Sequence, residues 1–410
     1  MLKFHRKTIY EALGREPVHP FPARMAPGIA LQAMADEEDP IRVLDPMMGS
    51  GTVLAMARSQ GHKGIGYDID PLAVLISKVW TRACDRKEVR ESAKEVADGA
   101  RGYFKSLAQG DAYPLDSDEE TRAFVAYWFD GYARRQLTSL SWAIRKVECE
   151  ATRDALWCAF SRLIIAKQNG ASLAMDLSHS RPHRVFDRAP EKPFRKFLSS
   201  VERVLANVID CRSQDRGPAP SVHSGDARKL PLDDSSVDLV LTSPPYLNAI
   251  DYIRCSKFSL VWMGYGVAEL RKLRTDSVGS EASAGSFSDD SEIDRIMEAL
   301  KVRPSMAAKN QRILERYIND MRGAIREVAR VLSRAGKAVY IVGENTLRGT
   351  YIPTSIVVSK LAEFSGLHLQ YRRKRALPAN RRYLPPPTTN DTEGAMNVRM
   401  QKEVVLAFAK

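Results

Sequence analysis

The sequence predicts an α/β fold: a doubly wound, mostly parallel sheet that carries a helical insertion and ends in an antiparallel strand pair. Three observations carry this. Short apolar runs recur and stop at Asp or Gly, several gaps between them have helical periodicity, and the last two runs are joined by a loop rich in Pro and Arg. Strands alternating with helices pack as parallel sheets, with ligands at the carboxyl ends of the strands.

Taken in order, residues 41–44 run into Asp45-Pro46, and 63–67 into Asp68. Residues 221–224 lead to Gly225-Asp226, 237–242 to Ser243-Pro244-Pro245-Tyr246, and 337–342 to Gly343-Glu344. Helices are expected over 52–60, 71–81 and 314–333, and the closing strand pair over 367–374 and 403–409. Residues 82–215 break the rhythm and read as mostly helical. Phe124, Trp128, Leu137, Leu140, Ile144, Trp157, Phe160 and Ile164 recur there at helical spacing, as core positions of an inserted bundle do. Residues 266–304, rich in Ser, Asp and Glu, predict a mobile loop. The main domain is therefore 1–81 with 216–410, and 82–215 is an insertion into it, a candidate for a target-recognition role.

At 410 residues the chain exceeds one ordinary domain, and 44% hydrophobic with 27% charged residues excludes collagen-like, disordered and low-complexity classes. Lys and Arg number 62 against 50 Asp and Glu, a net +12 that favours polyanionic partners and leaves the fold open. The five cysteines (Cys84, Cys149, Cys158, Cys211, Cys255) are scattered without zinc spacing, which predicts a reducing, cytoplasmic compartment and no metal. The stretch Met1 to Lys7 lacks the apolar core of a signal peptide, and no run approaches the length of a membrane span.

Chemistry concentrates at two strand ends. Asp45-Pro46-Met47-Met48-Gly49-Ser50-Gly51-Thr52 reads as strand, glycine turn and helix start. Glycines there permit positive φ, and the helix N-terminus offers N–H groups to a ligand. No Lys follows the glycines as in a phosphate loop, and position 54 is Leu54 where a nicotinamide fingerprint wants a third Gly. Asp68 ends the next strand 17 residues after Gly51, placed to accept ribose hydroxyls of a nucleoside cofactor. The second end is Thr242-Ser243-Pro244-Pro245-Tyr246. Two prolines stiffen the turn and leave carbonyls free, which with Ser243 can accept an exocyclic amine while Tyr246 stacks on a base. An ordinary strand-ending turn accounts for those residues equally well when they are taken alone.

Together the two elements resemble the S-adenosylmethionine-dependent amino-methyltransferases of DNA, whose cofactor loop is Asp-Pro-Phe-x-Gly-Ser-Gly-Thr; here Met47 replaces Phe. Their catalytic motif is Asp/Asn/Ser-Pro-Pro-Tyr/Phe/Trp, and the Ser form after Thr is similar to the N4-cytosine enzymes. His19-Pro20-Phe21-Pro22-Ala23-Arg24-Met25 resembles the family's N-terminal cofactor motif, Gly64 to Pro71 its second and Gly225-Asp226-Ala227 its third. Cofactor motifs precede the catalytic motif, as in the alpha-type order. The resemblance covers residues 17–81 and 221–262 well and the end of the chain loosely.

It implies a Rossmann-like class I methyltransferase fold and S-adenosyl-L-methionine as cofactor. Phe21, Pro22, Arg24, Asp45, Pro46, Gly49, Ser50, Gly51 and Thr52 would hold the methionine part, Asp68 the ribose, and Asp226 with Ala227 the adenine. Ser243, Pro244, Pro245 and Tyr246 would receive a flipped cytosine. Implied partners are double-stranded DNA and, in a restriction-modification setting, a cognate restriction endonuclease; no membrane is implied. N6-adenine and RNA amino-methyl transfer remain open, as does a catalytically silent nucleic-acid-binding module. Arg372, Arg373, Lys374, Arg375, Arg381 and Arg382 fall within 11 residues and are expected to contact DNA phosphates or a groove. Ser178 to Arg184 is a second basic loop, a weaker candidate for the same role.

Overall fold

Seven strands build the central sheet of the computed structural model, which describes the chain except residues 1–6, 22–23, 167–168, 176, 178–181, 213–216, 248–251, 281–289, 303–305 and 377–401. In chain order the strands are β1 Arg42–Asp45, β2 Lys63–Asp68, β3 Ala83–Cys84, β4 Ile209–Asp210, β5 Ser221–Ser224 and β6 Val237–Thr242. There follow β7 Leu332–Gly343, β8 Asn345–Leu347, β9 Thr350–Ile352, β10 His368–Ala376 and β11 Lys402–Ala409. The sheet order is β10-β11-β7-β6-β1-β2-β5. All neighbours from β7 to β5 pair in parallel, and β11 pairs antiparallel with both β7 and β10. The last strand thus inserts between its two predecessors, which gives the expected antiparallel end.

Successive side chains along a strand face opposite ways, so a sheet covered on both sides is apolar throughout. Val43, Leu239, Leu241, Val339, Ile341 and Val405 enter one buried cluster, beneath helices Thr52–Ser59 and Pro71–Thr81. Leu44, Val240, Tyr340, Val342, Leu406 and Phe408 enter the other, beneath helices Ala308–Val331 and Thr354–Phe364.

The segment 82–215 is helical, as its periodicity predicts. Asp85, Asp118 and Asp130 cap the helices Arg86–Ser106, Glu119–Trp128 and Gly131–Ile144 by accepting N–H groups of the first turn. Leu137, Leu140, Ile144, Trp157, Phe160 and Ile164 are buried, while Phe124 and Trp128 are half-buried. The parallel pair of β3 and β4 closes its base. Its core is not separate: one cluster runs from Val43 and Leu72 through Leu137 and Phe160 to Phe258. Phe258, on the helix Tyr252–Met263, meets the rings of Phe124 and Trp128 edge-on at 5.2 and 5.0 Å.

Residues 266–304 are not the mobile loop that their composition predicts. Helices Val267–Asp276 and Ser291–Leu300 occupy much of the stretch, and residues 281–289 and 303–304 lie outside the described residues. Four apolar side chains at helical spacing (Ile293, Ile296, Met297, Leu300) are buried, and Asp290 caps the helix while pairing with Arg322 at 2.6 Å. An amphipathic helix with a polar outer face has a loop-like composition, and only its period gives it away. Among the described residues no helix is long and apolar enough to cross a membrane.

Phe258→Ala should cost about 3–5 kcal/mol, the range for emptying an aromatic core position. Because the core is shared, calorimetry should show one unfolding transition that shifts as a whole. Two transitions, with only one moved, would mean that 82–215 folds on its own.

Candidate functional site

The chain leaves β1 toward β2 on one side and leaves β6 toward β7 on the other. Such a switch in direction opens a crevice at the carboxyl ends of the two strands. Asp45 and Thr242 stand at those ends, 3% and 0% exposed. The Thr242 hydroxyl donates to Asp45 Oδ1 at 2.7 Å, and the Met47 N–H donates to the same oxygen at 3.2 Å. Burial raises the Asp45 carboxyl to about 7, against the pull of these two donors.

The glycine turn follows directly. Gly49 and Gly51 have φ of +50° and +82°, which side chains disfavour, and a Cβ on Gly51 would collide with the Ser77 hydroxyl. Gly49 N–H donates to Asp68 Oδ2 at 2.8 Å, while Asp68 Oδ1 accepts the Asp70 N–H at 2.9 Å. Asp68 therefore already braces the turn with its carboxylate. Asp70 caps the helix Pro71–Thr81, accepting from Leu72 N–H at 2.9 Å and from the Ser256 hydroxyl at 3.0 Å. Burial raises Asp68, and burial followed by the charge of Asp68 raises Asp70 to about 7. Pro46, Ser50 and Thr52 are buried within the same turn.

The N-terminal motif reaches this turn from outside the sheet. Phe21 stacks on Tyr252 with centroids 5.8 Å apart and planes 8° from parallel, and it lies 3.7 Å from where a Cβ on Gly49 would be. Arg24 donates to the His19 carbonyl, and the buried His19 ring bonds to Ser161 at 2.9 Å. Pro22 lies outside the described residues. Gly225 N–H meets the Asp68 carbonyl at 3.0 Å, bringing Asp226 and Ala227 to the far side of β2. The Asp226 carboxylate is clasped by Arg228 at 2.7 Å, and Arg228 also reaches the buried Asp320 at 2.6 Å.

On the other side of Asp45 is the Ser243-Pro244-Pro245-Tyr246 turn. Ser243 is half-buried, and among the described residues its hydroxyl has no hydrogen-bond partner. The Pro245 carbonyl accepts from the buried Tyr317 hydroxyl at 3.3 Å, and burial pushes that phenol above its ordinary range. The structure thus brings Phe21, Arg24, Asp45, Gly49, Ser50, Gly51, Thr52, Asp68 and Ser243 to one end of the sheet. Sequence reasoning missed the structural parts played by Thr242, Asp70, Ser256 and Tyr317. Only Asp70-Pro71 carried a readable signal, that of a helix start.

The arginine run stands apart from this. Arg372 donates to the Ser355 hydroxyl at 2.6 Å and pairs with Glu344, Arg375 pairs with the buried Glu403, and Arg373 lies over the Tyr371 ring at 4.6 Å. Contrary to expectation, Arg372 and Arg375 are neutralised within the chain. Arg381 and Arg382 lie outside the described residues, as do 178–181 of the second basic loop.

Relatives bear on what this crevice is for. Type II methyltransferase M.MvaI of Kocuria varians is 23% identical over 411 residues, covering 95% of this chain and 89% of its own length. Type II methyltransferase M.AvaI of Nostoc sp. is 23% identical over 372 residues, or 80% and 73% of the two chains. Type II methyltransferase M.BsoBI of Geobacillus stearothermophilus is 24% identical over 253 residues, or 57% and 49%. The chain is thus similar in sequence to Type II methyltransferases, over most of its length in the first case. No protein-family model matches it. Among solved structures, a TehB-like SAM-dependent methyltransferase from Corynebacterium glutamicum aligns over 93% of this chain and 86% of its own, at 9% identity and a TM-score of 0.29. A superposition that loose bears neither on the site nor on its use.

The buried carboxyls give a pH signature. A carboxyl raised in the fold keeps its proton longer than the unfolded chain does. Its ionisation cost therefore starts above the unfolded value of about 3.9 and is complete above the folded value. Asp70→Asn keeps the helix cap and removes that cost. The stability of the variant relative to wild type should thus rise between about pH 4 and about pH 7 in urea unfolding, a window set by the rise to about 7. A difference independent of pH would mean that Asp70 titrates as an ordinary surface carboxyl.

Proposed function

We propose that this protein transfers a methyl group from S-adenosyl-L-methionine to the N4 amine of cytosine in double-stranded DNA. Homology to Type II methyltransferases supports methyl transfer to DNA. The observation that carries the reading is the bond between Thr242 and Asp45, which fastens the strand end preceding Ser243 to the strand end preceding the glycine turn. The Ser-Pro-Pro-Tyr form after Thr242 favours cytosine N4 over adenine N6, by resemblance to the N4 enzymes.

The residues present fit such a cofactor. Gly49 and Gly51 leave the turn without side chains over it, and Asp45, Asp68 and Asp70 are carboxyls that burial makes costly to ionise, so a cationic ligand would favour their charged forms. A ligand with a sulfonium and an ammonium group compensates that charge. Phe21, Pro22, Arg24 and the 45–52 turn would hold the methionine part, Asp68 the ribose, and Ala227 with Asp226 the adenine. Arg228 already donates twice to each Asp226 oxygen, so contact with the adenine amine would require part of that clasp to open. When bound, the cofactor supplies an electrophilic methyl group.

The chain's own work is at the amine. The Ser243 hydroxyl and the Pro244 carbonyl accept the two N4 hydrogens, drawing the nitrogen lone pair out of conjugation with the ring. Tyr246 stacks on a base extruded from the duplex, because a base inside the stack cannot reach a strand end. Held in line, the nitrogen acts as the nucleophile and gives up one N4 proton by way of its hydrogen-bond acceptors to solvent, and no covalent intermediate on the enzyme is needed. A cognate restriction endonuclease is the partner that a Type II setting implies.

DNA from cells expressing the chain, digested to nucleosides and analysed by mass, should contain N4-methylcytosine. N6-methyladenine in its place would move the substrate to adenine, and unmodified DNA would remove the reading. Ser243→Ala should slow transfer about 10²–10³-fold at saturating DNA and cofactor, as losing one preorganised group at a developing charge does. Tyr246→Ala should instead weaken DNA binding by about 1–3 kcal/mol.

A further inference from the structure

We infer that the duplex is gripped by a face of the helical segment 82–215, around the junction between helices Glu119–Trp128 and Gly131–Ile144. The inference rests on DNA being the substrate. Three tyrosines with cations over their rings surround that junction. Arg184 lies over Tyr127 at 5.5 Å and Lys192 over Tyr132 at 5.5 Å, while Arg134 and Arg122 lie over Tyr113 at 4.5 and 5.6 Å. Tyr127 and Tyr132 are 53% and 51% exposed. The segment from Arg184 to Lys192 runs from one tyrosine to the other, tied midway by the Ala189 N–H on Asp130.

The partners of these cations differ from those of several other basic groups in the chain. Arg90, Arg228, Arg330, Arg372 and Arg375 all pair with carboxylates, which cancels their charge. Among the described residues Arg122, Arg134, Arg184 and Lys192 form no ion pair. A tyrosine face orients a cation without neutralising it, so the full charge remains for an external anion. Residues 182–196 hold five basic side chains (Arg184, Arg188, Lys192, Arg195, Lys196) and two acidic ones, of which Glu191 is taken by Lys196. Uncompensated cations spaced along a surface, interleaved with exposed phenols that can donate to phosphate oxygens, suit a phosphodiester backbone.

The face is also mechanically joined to the catalytic turn. Trp128, beside Tyr127, packs on Phe258 at 5.0 Å. Phe258 belongs to the helix that follows the Ser-Pro-Pro-Tyr turn, and its first residue, Tyr252, stacks on Phe21 at the glycine turn.

The test uses full-length protein and a fluorescein-labelled duplex of mixed sequence, with anisotropy followed across a salt series. Each phosphate that is no longer neutralised lowers the log–log salt slope by about 0.9, so Arg184→Gln with Lys192→Gln should lower it by about 1.8. Arg184→Lys with Lys192→Arg, which keeps both charges, should retain the wild-type slope. Unchanged melting of both variants separates charge from folding. A wild-type slope in the Gln double variant would overturn the proposal, as would a change confined to labelled RNA. If the wild-type protein neither binds nor methylates duplex DNA, the reading of the substrate fails, and the proposal with it. If it does both while the Gln variant binds like wild type, only this face is excluded.

Discussion

Everything at the site depends on the hydrogen bond between Thr242 and Asp45. It spans 197 residues of sequence and fastens the ends of the two central strands. A carboxyl so deeply buried is costly unless donors reach it, and its main donor is the strand neighbour that leads into Ser243. The glycine turn and the Ser-Pro-Pro-Tyr turn are thereby held in one register. Neighbouring hydrogen bonds extend the clasp: Asp68 holds Gly49, Ser256 holds Asp70, and Tyr317 holds Pro245. Each comes from a different element, so the crevice is rigid because the fold around it is complete.

Charge is distributed in two opposite ways. The crevice collects Asp45, Asp68 and Asp70, each pushed up by burial and therefore short of positive partners. The chain as a whole carries a formal net +12. A cationic cofactor and a polyanionic substrate are complementary to these two environments respectively. Mixing them would fail, because a phosphate beside these buried carboxyls would lose its hydration and find no cation in return.

Strands and loops that depend on local chemistry were legible in the sequence. Except for β6, which runs into Ser243-Pro244, the parallel strands stop at or just before an Asp or Gly, and β5, β6 and the helix Pro71–Thr81 appear at the bounds that their periodicity predicts. The cofactor-loop residues were legible too, since a positive-φ glycine turn leaves a local mark. What stayed hidden is long-range or depends on partners. Ser256 and Tyr317 lie in helices with no motif, and only the fold brings them to Asp70 and Pro245. The arginines of β10 read as a free basic run because Glu344, Ser355 and Glu403 are distant in sequence. The helix Ser291–Leu300 was masked by its polar face.

The shared core gives the helical segment a consequence that a separate domain would not have. A domain on a hinge can bind a duplex and still leave the target base at a variable distance from the catalytic turn. Here the Phe258 side chain sits between Phe124 and Trp128 of the segment, on the helix leading away from that turn. Packed aromatic rings tolerate little sliding, because close-packed interiors resist small displacements. Cations mounted beyond Trp128 would therefore fix the backbone of a bound duplex relative to Ser243 through a short path of rings. The geometry of base extrusion would then be set by packing, and substitutions among the packed rings would alter catalysis without touching either ligand.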